Sequence, residues 1–185
     1  MQIFHSHLVI DACCILNFSA SGYLLSILKS IPAQVIVTET VRSDELTTLQ
    51  VIDDNQDEAV TQFEAAIKQG VIKIVDFETE DEFETFINYV SGLKDDGEAA
   101  TFAVAFHHGW AIATDDKRAT SFSQRELSHL QLLTTLDLIK YWAESTKPNS
   151  TQIAEALSAI HTKGRYKPNK EHPLWNWWNA VMQNR

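Results

Sequence analysis

The chain has only two cysteines among its 185 residues, and Cys13 and Cys14 are neighbours. Adjacent cysteines bridge each other only under strain, and no second pair completes a zinc site. Neither a disulfide framework nor a Cys/His zinc centre is expected. That usage suits a reducing cytoplasm. Long apolar runs are also missing: none approaches the roughly 20 residues of a membrane helix. The opening MQIFHSHLVIDACC has no basic stretch ahead of its apolar run and meets Asp11, so it does not read as a secretion signal. The expectation is a cytoplasmic protein without membrane association. Positive charge is short too. A net charge of −10 excludes binding to nucleic acid by bulk charge alone. It leaves open an enzyme whose surplus carboxylates surround cations, because bound divalent ions invert the local sign. Repeats and low-complexity tracts are absent.

What is present is an alternation of strand-like and helix-like runs. HLVIDA (7–12) is a short apolar run ending in an acid. GYLLSILKSI (22–31) has helical spacing, and Pro32 stops it. AQVIVT (33–38) reads as a strand. DEAVTQFEAAIKQG (57–70) is an amphipathic helix with a closing glycine. VIKIVDF (71–77) alternates as a strand, 81–90 and 96–109 read as helices, WAIATD (110–115) and LQLLTT (130–135) as strands, and 136–145 as a helix. Strands separated by helices pair in parallel through right-handed crossovers. The expected fold is an α/β sandwich with a central, mostly parallel sheet and flanking helices over residues 1–145. Residues 146–185 read as a C-terminal helical extension packed on the same domain, two helices joined by a basic loop.

Ligands of open parallel sheets bind beyond the carboxyl ends of the strands. Asp11 ends the first strand there, and Asp115 and Asp116 end WAIAT. The second strand runs into Glu39, Asp44 and Glu45. Asp95, Asp96 and Glu98 open the helix that leads into WAIAT, at the same edge. Convergent carboxylates repel one another unless protons or a cation neutralise them. An all-oxygen set suits magnesium or manganese, which can activate water for in-line displacement at phosphorus. Each piece has a plainer reading: Asp95 or Asp96 as a helix cap, DDKR as another cap followed by solvated charges, and Glu39, Asp44 and Glu45 as a charged helix face. Those plainer readings must all hold at once to remove the site.

The order VIDACCILNFSASG (9–22), VTETVRSDEL (37–46), LKDDGEAATFAVA (93–105) and AIATDDKRA (111–119) resembles the PIN-domain family of ribonucleases, many of them toxins of toxin–antitoxin pairs. It spans roughly residues 7–140. The resemblance implies a PIN-like three-layer sandwich and a pocket binding Mg²⁺ or Mn²⁺. Asp11 is similar to the family's first-strand aspartate. Glu98 is similar to the acid that begins the long helix, with Asp95 or Asp96 near it. Asp115 matches the fourth-motif acid, and Asp116 shares or takes that role. The second-motif acid falls on Asp44 by ungapped reading and on Glu45 by residue type. Asp11, Glu45, Glu98 and Asp115 are thus the implied catalytic set, with Asp44, Asp95 and Asp116 as further metal ligands. Cys13 departs from the pattern, since many members carry Ser, Thr or Asn there.

The implied activity is hydrolysis of RNA to a 5′-phosphate and a 3′-hydroxyl, with an antitoxin and often a homodimer as protein partners. RNA would be drawn by Lys117 and Arg118 beside the site and by Arg165 and Lys167 in HTKGRYKPNK, where Tyr166 offers a ring for stacking. A solvated loop is the plainer reading of that segment. Trp175, Trp177 and Trp178 cannot all face one side of a helix, so at least one should be exposed or covered by a partner. His5, His7, His107 and His108 read as ordinary polar residues, and the two cysteines as small hydrophobes. The competing class is a non-catalytic PIN-like module that binds RNA or protein. A phosphatase or phosphoreceiver would need a second early acid, which DACC lacks.

Overall fold

The computed structural model describes residues 3–46 and 56–183, and of 44–46 and 56–59 the backbone only. The elements are β1 (His7–Ile10), α1 (Ala12–Ser21), α2 (Leu24–Ser30), β2 (Gln34–Thr38), a π-helical segment (Val41–Leu46), α3 (Gln56–Lys68), β3 (Ile72–Val75), α4 (Glu80–Leu93), α5 (Asp96–His108), β4 (Ala111–Ala113), α6 (Lys117–Glu126), β5 (Leu132–Leu133), α7 (Thr135–Thr146), α8 (Ser150–Thr162) and α9 (Trp175–Gln183). The five strands form one sheet in the order β3-β2-β1-β4-β5. Every pairing is parallel, with Val9 beside both Ile36 and Ile112.

Alternation along these strands builds two cores. Leu8, Ile10, Val35, Val37, Ala111 and Ala113 face one apolar layer, which holds Phe18, Ile27, Trp142 and Leu157. Val9, Ile36 and Ile112 face the other, with Phe102, Val104 and Phe122. A buried side chain of this size contributes about 1.5–3 kcal/mol, so the sheet is clamped from both faces. The result is a three-layer α/β sandwich, as expected.

The helix α5 sets the position of the site. Its stretch from Gly97 to Ala105 is buried throughout, so it runs through the interior instead of lying on the surface. It contacts β1, β2 and β4. Glu98 sits in its first turn, and burying the helix therefore buries Glu98.

Three elements go beyond the runs marked in the sequence. α1 follows Asp11 directly, so its apolar start merges with the β1 run. α6 is mostly polar and has little apolar period to read. The π-helical segment begins where Thr38 Oγ1 accepts from the Val41 N–H at 3.3 Å. Further along, α8 packs on α1, and α9 packs on α8. Trp178 is buried, while Trp175 and Trp177 pack half-buried on the same core. Lys140 lies over the Trp177 ring at 4.7 Å and Lys167 over Trp175 at 5.9 Å. The three rings are thus accommodated by partial burial within the chain.

Candidate active site

The strand order reverses at β1: β2 lies on one side of it and β4 on the other. The crevice of a parallel sheet opens at such a point, beyond the carboxyl ends. Asp11 follows β1 and Asp115 follows β4. The Asp11 N–H donates to the Ala113 carbonyl at 3.0 Å, which locks the two strand ends together. A cavity of about 430 Å³ lies there, lined by Asp11, Asp95, Glu98, Asp115 and Asp116. Cys13, Leu16, Asn17, Gly164, Arg165 and Tyr166 complete its wall.

Three of these acids also cap helices. Asp11 Oδ1 accepts from the Ala12 N–H at 2.8 Å, at the start of α1. Asp95 Oδ1 accepts from the Glu98 N–H at 2.8 Å, at the start of α5. Asp116 Oδ1 accepts from Arg118 and Ala119, at the start of α6. The capping readings of the sequence therefore hold together with the convergence. Three helix N-termini with their positive dipole ends meet at one pocket, which favours the negative charge collected there.

Asp11 is 3 % exposed, and its Oδ2 accepts from the Thr114 hydroxyl at 2.8 Å and the Cys13 thiol at 3.1 Å. The hydroxyl that Cys13 cannot offer is supplied by Thr114. Asp115 accepts from the Thr135 N–H at 2.9 Å, from the Thr135 hydroxyl, and from Asn17 Nδ2 at 3.0 Å. Burial holds both carboxyls above their ordinary range, against these donors.

Glu98 differs from them. It is 9 % exposed, and its Oε2 is buried without a hydrogen-bond partner among the described residues. Burial pushes its carboxyl up to about 8, with Asp116, Asp11 and Asp95 adding repulsion and Arg118 opposing it. A buried oxygen without a donor costs about 1–3 kcal/mol unless a proton or a cation reaches it.

The remaining sequence candidates divide. Asp44 and Glu45 belong to the π-helical segment, but their side chains lie outside the described residues. Asp96 turns away and lines another cavity beside Phe77, Phe83 and Phe86. Glu39 pairs with Arg42 at 3.5 Å. Lys117 is exposed at the start of α6. Arg118 Nη1 donates to the Leu93 carbonyl at 2.7 Å, at the end of α4. Arg165 is exposed and holds a left-handed backbone with φ 54°. The Tyr166 ring is committed edge-on to Trp178 at 5.9 Å instead of standing free for a base. Burial, with Asp115 near it, raises the Tyr166 hydroxyl far above its usual range, so it stays protonated. His7 and His108 stack on the two faces of Trp110, at 4.4 Å and 4.2 Å.

Sequence reasoning missed Asn17, Thr114, Thr135 and Gly164. Asn17 lies four residues after Cys13, a helical spacing visible once α1 is known. Thr135 follows Thr134, whose capping box with Asp137 is spelled in TTLD. Gly164 has no such signal. Its approach to Asn17 comes from the packing of α8 on α1.

Five carboxylates thus line a crevice at the reversal point of a parallel sheet and form an acidic pocket. A family model described as a PIN domain matches residues 7–172, and the chain belongs to the PIN-domain family, a family of nucleases acting on nucleic acids. The match runs through α8 and the loop that bears Arg165 and Tyr166. No curated protein sequence matches the chain. Among the described residues, no helix is long and apolar enough to cross a membrane.

Proposed function

We propose that the protein is a divalent-metal-dependent endoribonuclease working at this acidic pocket. The observation that carries the reading is the unpartnered, buried Glu98 Oε2 within a ring of four aspartates. The donor set fits a hard cation, since it is all oxygen and acidic and the buried Glu98 Oε2 has no protein donor among the described residues. Asp11, Glu98 and Asp115 would hold one Mg²⁺ or Mn²⁺, with Asp95 and Asp116 beside them, and Glu45 or Asp44 would be needed for a second ion. When bound, the cation supplies an acidified water and screens charge at the phosphorus.

The chain's own groups do the rest. Thr114, Asn17 and Thr135 fix the orientation of Asp11 and Asp115, so that these carboxylates need no reorganisation. Glu98 keeps a proton near neutral pH in the ion-free pocket and gives it to solvent when positive charge arrives. In the loaded pocket a free carboxylate oxygen takes the proton of the attacking water. The water oxygen bonds to phosphorus as the bond to the 3′ oxygen breaks, and that oxygen takes a proton from solvent. The products are a 5′-phosphate and a 3′-hydroxyl. Lys117, Arg165 and Lys167 would meet the RNA backbone around the pocket, and Arg118, tied to Leu93, would screen the rim. A cytoplasmic toxin held by a cognate antitoxin, working as a homodimer, is the biological setting in keeping with the family.

The test is cleavage of a panel of single-stranded and structured RNAs with Mg²⁺, with Mn²⁺ and with EDTA. Cleavage that requires the metal supports the reading. No cleavage by folded protein freed of any co-purified inhibitor would leave the binding module in its place.

A further inference from the structure

Cys13 and Cys14 are the only thiols of the chain, and the carboxylate chemistry does not use them as ligands. Cys13 lines the acidic cavity. Its Sγ stands 4.0 Å from Cys14 Sγ, and Cys14 Sγ stands 3.9 Å from Asp115 Oδ2. One ligand atom from each of the three residues lies within 4.8 Å of the others. In a tetrahedral thiolate site, metal–sulfur bonds of about 2.3 Å put two sulfurs about 3.8 Å apart. The present spacing is already near that edge length, with α1 intact. Two sulfurs joined by one carboxylate oxygen select a thiophilic cation over magnesium.

We propose that Cys13, Cys14 and Asp115 form a second metal site, for one thiophilic divalent cation of the zinc or cadmium type, whose filling removes Asp115 from the hard-cation set and switches the pocket off. Two metal–sulfur bonds replace the two S–H bonds, and both protons leave to solvent, with no change of oxidation state. The carboxylate is the shared part. Asp115 Oδ2 already accepts from Asn17 and Thr135, and drawing it onto a cation at the sulfurs gives up those donors, so the carboxylate leaves the orientation that the hard-cation set requires. The switching rests on the reading of the pocket as a nuclease centre, whereas the binding of the thiophilic ion does not.

Cadmium titration of the full chain tests the site by absorbance. The only two thiols are these, so any thiolate-to-cadmium charge-transfer band reports this site alone. The expected result is a band that saturates at one equivalent and is displaced by Zn²⁺. Cys13→Ser should lose about half of the band and bind more weakly by at least the roughly 10- to 100-fold that losing a supporting partner costs. Cys13→Ala serves as a second cavity-side variant, since Cys14 is fully buried. Absence of the band in the wild type, or a Cys13→Ser titration that overlays the wild type, overturns the site. RNA cleavage in the same samples reads the consequence. One equivalent of Cd²⁺ added over Mg²⁺ should stop the wild type and slow Cys13→Ser far less, each relative to its own cadmium-free rate. Undiminished wild-type cleavage with the band saturated overturns the switch. A protein that cuts no RNA in any metal fails the nuclease reading, while its absorbance still decides the site.

Discussion

Asn17 donates to Asp115 Oδ2 across 3.0 Å, and so ties the helix after the first strand to the acid after the fourth. Removing that donor leaves a buried carboxylate with less support. Hydrogen bonds to charged groups are worth about 1.5–3 kcal/mol, so Asn17→Ala should lower the melting temperature clearly. It should also slow cleavage by roughly 10- to 100-fold, the usual effect of losing a partner behind a metal ligand. Thermal melts and initial rates measure both, and an unchanged rate would mean that Asp115 needs no such support.

The raised Glu98 carboxyl makes the ion-free protein sensitive to pH in a fixed direction. Folded, Glu98 keeps its proton up to about pH 8, whereas an ordinary glutamate releases it near 4.5. Between those values the folded state binds more protons than the unfolded state, so stability falls as pH rises from about 4.5 to about 8. Glu98→Gln should flatten this slope and melt higher than the wild type at the alkaline end. Melts in EDTA across that range decide it. A wild-type curve that climbs with pH as steeply as it is expected to fall would remove the assignment.

Gly164 sits where a side chain cannot. A Cβ there would stand 2.5 Å from Asn17 Oδ1 and 2.8 Å from the Ile160 carbonyl. The carbonyl is backbone and cannot swing aside, so Gly164→Ala should cost about 1–3 kcal/mol, as overpacking does. The loop bearing Arg165 and Tyr166 would shift with it. We expect weaker RNA binding together with a lower melting temperature; wild-type values of both would show that the close approach is not maintained in solution.

Lys117, Arg165 and Lys167 are exposed, and Arg118 is not equivalent to them because it serves the Leu93 carbonyl. Charge reversal at any of the first three should weaken RNA binding and reduce the dependence of log K on log salt by about 0.7 per lost phosphate contact on a single strand. Arg118→Ala should instead act first on thermal stability. Binding curves at several salt concentrations separate the two behaviours.

Much of this was legible in the sequence, for identifiable reasons. The strands β1, β2 and β4 carry consecutive apolar residues because both of their faces are buried, and an acid follows β1 and β4. Helix α5 was legible through its DDGE start, where capping and site residues coincide in Asp95. What escaped was of two kinds. α1 and α6 carry no clear apolar period, one merging with a strand run and the other mostly polar. Asn17 reaches Asp115 across 98 residues, Thr135 reaches it across 20, and Gly164 enters the site through the packing of α8 on α1, and local spacing cannot encode those. The Tyr166 ring reads as free for the same kind of reason, since Tyr166 lies in a loop and its partner Trp178 in α9.

The most direct measurement compares RNA cleavage by the wild type and Asp11→Asn in Mg²⁺, Mn²⁺ and EDTA. An asparagine keeps the oxygen that accepts from the Ala12 N–H, so α1 should retain its cap and the variant its fold. Metal-dependent cleavage by the wild type, gone in EDTA and gone in the folded variant, is the predicted result. Cleavage by Asp11→Asn at the wild-type rate, or wild-type cleavage that persists in EDTA, would contradict the account.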